Sequence, residues 1–273
     1  MPIKTLLIFP PGWVPFAPYL ALPALKGYLE HNDIEIEITD LNAEYYDYTL
    51  SPEFLNRIYK ECLNRFSQLN LQKNLGSYDK QLYQKLAKAL LLKPVISNID
   101  DAKRIIRSQE FFKPKEREKA KNTLIDALYL VEAAYEGLSL DFNKVEFKYS
   151  KTSTKQILKA LEDRKANPFI EFYEEKILNV LNKCDYDLIG FSVTGSSQLV
   201  PALTLAKLIK DQKRSNNIHV TFGGNFITRL AKEWETYHPF FNIFDSLVVY
   251  EGEKALHSLI EALEHKSDFS NVP

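Results

Sequence analysis

The chain has 273 residues, of which 45% are hydrophobic, so it can bury the core of one large domain or of two modest ones. Its 35 basic and 36 acidic side chains nearly cancel, and a net charge of -1 excludes a global field that favours nucleic acid or an anionic membrane. Two cysteines make no disulfide framework, and the N-terminal apolar run is too short to span a membrane, so we expect a reduced cytoplasmic setting.

The first 41 residues follow a strand–helix–strand pattern. Residues 3–9 form an apolar run of strand length that is ended by prolines, which is typical of a strand buried on both faces. Residues 19–30 carry leucines at helical spacing, with Pro23 expected in the first turn, where its missing N–H costs little. From residue 34, isoleucines alternate with polar residues and predict a half-exposed strand near the sheet edge, reached by a right-handed crossover.

A helical pattern then covers residues 51–182. Ser51 and Pro52 predict a helix start, with the serine as cap and the proline at the first helical position. Apolar residues recur at spacings of three and four through the segment, and Asn167 with Pro168 starts its last helix. The sequence therefore predicts an insertion of five or six helices inside an α/β domain.

The α/β pattern resumes at Tyr186. Strands are predicted at residues 187–193, 218–222 and 244–250, and each is followed by a helix. Five strands alternating with helices predict an α/β fold: a Rossmann-like, doubly wound, five-stranded parallel sheet of flavodoxin-like order 2-1-3-4-5. Ligands of such sheets bind outside the carboxyl ends of the strands where the order reverses, which here lies between the first and third strands.

The predicted strands and helices divide the chain into three parts. A discontinuous Rossmann-like domain is expected at residues 1–50 and 183–265, the helical insertion at 51–182, and a linker stub at 266–273.

Two loops at the ligand-binding edge contain small and polar residues. After the third strand, free backbone N–H groups and hydroxyls from Ser192 to Ser197 are expected to converge on a ligand, or else Ser196 or Ser197 simply caps the next helix. After the fourth strand, Gly223 and Gly224 either let a ligand approach the backbone or form a tight turn with Asn225 as a helix cap. This run is not G-x-G-x-x-G, so a dinucleotide fingerprint is not supported.

Two further loops leave alternatives open. Glu251 and Glu253 flank a glycine after the fifth strand, where a carboxylate either faces the ligand or favours the N-terminus of the next helix. Trp13, in the proline-rich loop after the first strand, either faces a ligand or covers the hydrophobic core. No Ser-His-Asp order, P-loop or metal-ligand cluster is present, so no catalytic and no metal-ligating residue is predicted.

Taken together, the segments IFPPGW, DLN, DLIGFSVTGSSQLVPALTLAKLIK, FGGNF and YEGE resemble the N-terminal cobalamin-binding domain of B12-dependent radical SAM enzymes. The type most similar is associated with the maturation of ribosomally made peptides. The resemblance covers almost the whole chain and implies that the nucleotide tail of cobalamin is buried beside the sheet. The predicted cofactor-binding residues are Pro11, Gly12, Trp13, Ser192, Val193, Thr194, Gly195, Ser196, Gly223, Gly224, Asn225, Glu251 and Gly252.

The resemblance also implies how the cofactor is held. Related carriers have D-x-H-x-x-G after the first strand, with the histidine on cobalt, whereas this chain has PPGW there. A base-off, His-off cobalamin is therefore implied. Radical SAM chemistry needs three cysteines for a [4Fe–4S] cluster, and Cys62 and Cys184 are the only two, so no Fe–S cluster is expected in this chain.

The implied activity is methyl transfer to a substrate radical, which the chain is not expected to catalyse alone. The implied partner is a radical SAM domain, either a missing C-terminal part or a separate chain, with a peptide among the substrates to consider. The last residues, SDFSNVP, lie about where a linker would lead into that domain. The chain is thus expected to be a fragment, a truncated frame or a stand-alone relative, with neither nucleic acid nor membrane as partner.

Two other functions stay open. One is a stand-alone corrinoid carrier or sensor, with the helical insertion as its partner surface. The other is a degenerate Rossmann-like domain that has lost its cofactor and serves protein interaction.

Overall fold

The computed structural model describes residues 2–212, 218–234, 238–270 and 272. Contacts within the chain divide it into two units. Residues 1–43 and 149–273 form one, which we call the sheet unit, and residues 44–148 form the other, which we call the helical unit. Residues 149–182, which the sequence analysis assigned to the insertion, thus group with the sheet. The predicted linker stub lies partly outside the described residues, at 271 and 273.

The helices and strands of the two units follow one another along the chain in a fixed order. The sheet unit begins with β1 (Thr5–Phe9), α1 (Ala21–His31) and β2 (Glu37–Asp40), and α2 (Leu41–Thr49) runs across the boundary. The helical unit contains α3 (Pro52–Asn70), α4 (Ser77–Leu90), α5 (Lys93–Ile106), α6 (Pro114–Ala134), β3 (Ser139–Leu140) and β4 (Val145–Glu146). The sheet unit continues with α7 (Thr154–Ala160), α8 (Pro168–Phe172), α9 (Leu178–Leu181), β5 (Leu188–Ser192) and α10 (Leu199–Lys210). It ends with β6 (His219–Gly223), α11 (Asn225–Leu230), β7 (Ser246–Val248) and α12 (Gly252–His265).

The five strands of the sheet unit pair in the order β2-β1-β5-β6-β7, and every pair is parallel. This confirms the predicted α/β, doubly wound architecture and puts the reversal of strand order between β1 and β5. Leu7 of β1 is in register with Gly190 of β5, and Gly190 with Thr221 of β6. Residues in register on neighbouring parallel strands share a face, so each face can be read across the sheet.

The two faces of the sheet carry side chains of very different size at its centre. One face holds the buried residues Ile189, Phe191, Val220 and Phe222. The rings of Phe191 and Phe222 stack there with their centroids 4.8 Å apart. The other face holds Gly190, Ser192, Thr221 and Gly223 in register. Because small side chains leave volume above the sheet, space opens on this second face.

A hydrophobic cluster fills the rest of the second face. Its buried members come from β1, α1, β5 and α12 and include Leu7, Leu22, Leu29, Leu188, Leu256 and Ile260. Along β5 the face changes from Leu188 to Gly190 and Ser192. The open space therefore lies toward the carboxyl ends of the strands.

The first strand–helix–strand unit follows the sequence pattern with one exception. Pro23 lies in the first turn of α1, as predicted. The second strand was predicted from residue 34 but begins at Glu37. Asp33 has a φ of 61°, and the N–H of Ile34 donates to the carbonyl of Leu29 at 2.9 Å. These residues therefore continue the C-terminal turn of α1 and cannot join the ladder.

The helical unit contains one of the predicted helix caps and one element that the helical sequence pattern does not indicate. The Ser51 hydroxyl accepts a hydrogen bond from the N–H of Phe54 at 3.3 Å and caps α3, as predicted. The helical pattern predicted over residues 51–182 is interrupted after Ala134, where α6 ends and the antiparallel hairpin β3–β4 follows. Glu132 stabilises this exit because its carboxylate accepts from the N–H of Leu140 at 3.1 Å.

Two properties of the helices bear on earlier predictions. Cys62 is fully buried on α3, and burial raises the pKa of its thiol to about 11. Among the described residues, no helix combines the length and the apolar character needed to cross a membrane.

Within the sheet unit, a buried asparagine joins residues 149–182 to α10. The Asn167 amide oxygen accepts from the N–H of Phe169 at 3.1 Å and caps α8, as predicted. Its Nδ2 donates to the carbonyl of Ala160 and to the Thr204 hydroxyl on α10, at 3.0 and 2.9 Å. The predicted single helix after Asn167 is interrupted by a π-helical turn at Tyr173–Ile177.

Tyr173 provides a test of this packing. Its ring is fully buried, and its hydroxyl has no hydrogen-bond partner among the described residues. Tyr173→Phe removes an unsatisfied polar group, so we expect it to keep or raise the free energy of unfolding, by up to about 1 kcal/mol. Tyr186→Phe is the matched control, because the Tyr186 hydroxyl donates to the Glu37 carboxylate at 2.6 Å. Urea unfolding should show a loss of about 1 kcal/mol for that control, and a comparable loss for Tyr173→Phe would contradict the packing.

Candidate functional site

A cavity of about 530 Å³ lies on the small-residue face of the sheet, at the carboxyl ends of the strands. Its floor is formed by Gly190, Ser192, Thr221 and Gly223. One wall comes from α1, through Ala21, Leu22, Ala24 and Leu25, and another from the start of α12, through Gly252, Glu253 and Leu256. The cavity adjoins the β1–β5 reversal of strand order, where the sequence predicts a ligand.

Ser192 is the polar group on the floor that is free to bind. The residue is only 7% exposed, and its hydroxyl has no hydrogen-bond partner among the described residues. Because Ser192 lines the cavity, its hydroxyl is accessible to a molecule that enters it. Ser192 can therefore donate to, or accept from, a group that enters the cavity.

Thr221, the second hydroxyl on the floor, is already used by the protein. It donates to the carbonyl of Ser246 at 3.3 Å and accepts from the Ser246 hydroxyl at 2.9 Å. The Ser246 hydroxyl must then accept from Nε2 of His219, 2.8 Å away, which fixes the histidine tautomer. Burial lowers the pKa of His219, so the ring is neutral near pH 7. His219 is thus a satisfied structural histidine, and Thr221 can only accept from a ligand.

Gln198 holds the loop after β5, and sequence reasoning missed it. The side chain is fully buried. Its Oε1 accepts from the N–H groups of Thr194 and Gly195 at 2.8 and 3.2 Å, and its Nε2 donates to the carbonyl of Pro10 at 2.9 Å. The expectation that these loop N–H groups are free for a ligand is therefore wrong, because an internal amide occupies them.

Asn42 does the same for the loop after β1. Its Oδ1 accepts from the N–H groups of Gly12 and Trp13, both at 3.0 Å. The sequence signal that could have found Asn42 is a polar residue in the first turn of the helix that directly follows β2. For Gln198, the signal is an amide in front of an otherwise apolar helix.

Two glycines in these loops are explained by packing between loops. Gly12 and Gly224 have φ angles of 108° and 101°, which disfavour any residue with a side chain. A Cβ on Gly12 would lie 2.6 Å from the carbonyl oxygen of Ser197, and one on Gly224 would lie 2.6 Å from that of Val193. Both positions therefore need glycine whether or not a ligand binds.

Trp13 covers the hydrophobic core, which is the second of the two alternatives for this residue. Its ring packs edge-on against Phe9 and Tyr19, with centroids 6.4 and 5.7 Å apart, and its Nε1 donates to the carbonyl of Ala17 at 3.2 Å. Tyr19, which also stacks on Phe9, is the member of this group that lines the cavity.

The cavity brings together only part of the predicted cofactor-binding set. The predicted residues that line it are Ser192, Gly223, Gly224, Asn225, Glu251 and Gly252. The predicted residues that do not line it are Pro11, Gly12, Trp13, Val193, Thr194, Gly195 and Ser196. The pattern gave no sign of the α1 wall, because that wall is created by the way the helix crosses the sheet.

The helix-cap alternatives are wrong for these loops. Gly195 is the N-cap of a 3-10 turn at Ser196–Gln198, and Gln198 is the N-cap of α10. Neither N-cap is a serine. Asn225 is the first residue of α11, and Gly224 is its N-cap. Thr194 keeps a buried hydroxyl without a partner among the described residues.

The mouth of the cavity is acidic. We use the word mouth for the solvent-exposed edge of the cavity at the start of α12. Glu251, which is exposed, and Glu253, which is half-buried, line the cavity there, and neither carboxylate is paired within the described part of the chain. No lysine, arginine or histidine is among the described lining residues. Thr228 shapes this edge, because its hydroxyl donates to the carbonyl of Gly224 at 3.2 Å and accepts from the N–H of Tyr250 at 2.9 Å.

Within the described ranges, no group of three or more His, Cys, Asp or Glu side chains could hold a metal ion. Comparison of the chain with models of protein families, with curated proteins and with solved structures finds no significant match.

Proposed function

We propose that this chain is a cobalamin-binding module, similar to the N-terminal domain of B12-dependent radical SAM enzymes. The observation that carries the proposal is the cavity above Gly190, Ser192, Thr221 and Gly223, next to the reversal of strand order. The resemblance implies a nucleotide tail buried beside the sheet, and this cavity offers space beside the sheet. Its volume of about 530 Å³ falls within the range of small-molecule sites.

The chemistry of the lining suits that tail. Leu7, Leu22, Leu25 and Leu256 offer apolar contact to an aromatic base. Ser192 offers a hydroxyl that can donate or accept, and Thr221 offers a hydroxyl that can only accept.

The roles of the protein in this proposal are binding and orientation. Bound methylcobalamin would supply a methyl group for transfer to a substrate radical. Gln198 and Asn42 keep the loops after β5 and β1 in place, and the sheet and the helices α1 and α12 shape the cavity. Because the chain has two cysteines, the Fe–S cluster of such an enzyme would belong to a partner radical SAM domain.

Equilibrium dialysis against hydroxocobalamin tests the proposal. We expect wild-type protein to bind with a Kd in the micromolar range. Ser192→Leu fills the floor and removes the hydroxyl, so we expect binding at least about tenfold weaker, or about 1.4 kcal/mol. Ser97→Leu is the matched control, because Ser97 is exposed on α5 and does not line the cavity, and its Kd should equal that of wild type.

Two outcomes would contradict the proposal. Wild-type protein that binds no corrinoid would favour the degenerate Rossmann-like alternative. Ser192→Leu protein that binds as tightly as wild type would remove this cavity from the site. Circular dichroism of each variant separates lost binding from lost fold.

A further inference from the structure

The mouth of the cavity carries two negative charges and no balancing positive side chain among the described residues. The inference drawn from these charges rests on the proposed function. Glu251 precedes α12 and Glu253 lies in its first turn, and both line the cavity. No cationic side chain belongs to the described lining, and Lys254, the nearest cation in sequence, is exposed and does not line it. The partial positive charge of the α12 N-terminus offsets only part of two full negative charges.

A second observation shows that this acidic mouth leads to a place for a ligand. Ser192, on the floor, is more than nine-tenths buried and has an unpartnered hydroxyl on the cavity face of the sheet. A ligand that reaches Ser192 must have its outer parts near the mouth, since Glu251, Glu253 and Ser192 line one cavity. The chemistry of those outer parts is thus selected by the two carboxylates.

We infer that Glu251 and Glu253 are specificity-determining residues that favour a neutral hydrogen-bond donor over a carboxylate at the same peripheral position of the ligand. A carboxylate accepts hydrogen bonds and cannot donate, so a primary amide is a suitable partner and another carboxylate is repelled. Applied to corrinoids, the mouth selects those whose peripheral side chains are amides over those in which a side chain is a free acid.

The expected size of the effect follows from Coulomb's law. Two charges about 4 Å apart repel by about 1 kcal/mol in water and by more where solvent is partly excluded. A ligand that carries one carboxylate in place of an amide should therefore bind about fivefold to tenfold more weakly at low salt. The difference should shrink as salt is raised, because ions screen charges at an exposed mouth.

The test compares hydroxocobalamin with its monocarboxylic acids, each made by hydrolysis of one propionamide. Dissociation constants are measured by equilibrium dialysis at about 20 mM and about 500 mM salt. For wild-type protein we expect at least one of these acids to bind at least about fivefold more weakly than hydroxocobalamin at low salt. The Glu251→Gln, Glu253→Gln double variant should bring that ratio close to one.

Glu261→Gln is the matched control on the same helix. Glu261 is exposed near the C-terminal end of α12, does not line the cavity and pairs with His257 at 3.5 Å. Glu261→Gln changes the net charge by one unit and the double variant changes it by two, so a general charge effect would lower the ratio in this control as well. We expect the wild-type ratio to be kept.

The outcomes separate this inference from the proposed function. Equal affinity of wild-type protein for hydroxocobalamin and every monocarboxylic acid overturns the inference and leaves cobalamin binding intact. The inference is also overturned if the ratio of dissociation constants is the same in the double variant as in the wild type, or if it does not fall as salt is raised. Failure to bind any corrinoid overturns the proposed function itself.

Discussion

Gln198→Met should lower the free energy of unfolding by about 3 kcal/mol or more. Methionine keeps the length of the side chain but removes the amide. The carbonyl of Pro10 would then lose its hydrogen-bond partner in the interior, and the N–H groups of Thr194 and Gly195 would lose theirs in a half-buried loop. Each buried backbone group left unsatisfied costs about 1–3 kcal/mol, and solvent reaching the loop would recover part of that cost. Urea unfolding measures the change.

Gln68→Met is the control for this experiment. Gln68 is exposed on α3, so the same substitution there should change the free energy of unfolding by less than about 0.5 kcal/mol. Equal, small effects at both positions would mean that Gln198 does not join the two loops.

Gly224→Ala should be the second strongly destabilising change, by about 3 kcal/mol or more. The residue has a φ of 101°, and an added Cβ would lie 2.6 Å from the Val193 carbonyl oxygen, so the β5 and β6 loops would have to separate. The same substitution in α1 gives a control of opposite sign. A Cβ on Gly27 meets no atom within 4 Å, and alanine is the better helix former by about 1 kcal/mol.

The pair is read from thermal unfolding midpoints. Gly224→Ala should lower the midpoint and Gly27→Ala should raise it slightly. If both variants shifted it in the same direction, the close approach of Gly224 to Val193 would not be a feature of the fold in solution.

The sheet could be predicted because its information is local. Buried strands such as 5–9 and 188–192 are short apolar runs between breakers, and alternation with helices implies parallel order. The caps at Ser51 and Asn167 were predictable for the same reason, because a cap depends on three or four consecutive residues. The hairpin β3–β4 was missed because two-residue strands carry no periodicity.

The site was less predictable because its contacts are distant in sequence. Gln198 bonds to Pro10 across 188 positions, and nothing near either residue indicates that pair. The loops that contain glycines and hydroxyl side chains were predicted to bind a ligand. Gly12 and Gly224, however, allow one loop to pack closely against another. The cavity itself arises because Gly190, Ser192, Thr221 and Gly223 come into register on one face, which requires knowledge of the pairing.

Cobinamide, the corrinoid that lacks the nucleotide tail, allows the most direct test of the central claim. If the cavity above Ser192 and Thr221 binds that tail, equilibrium dialysis should give a Kd for hydroxocobalamin at least about tenfold lower than the Kd for cobinamide. Ser192→Leu should weaken cobalamin binding while leaving cobinamide binding unchanged, because only the tail would reach the floor. Equal affinities of wild-type protein for the two corrinoids would contradict the claim.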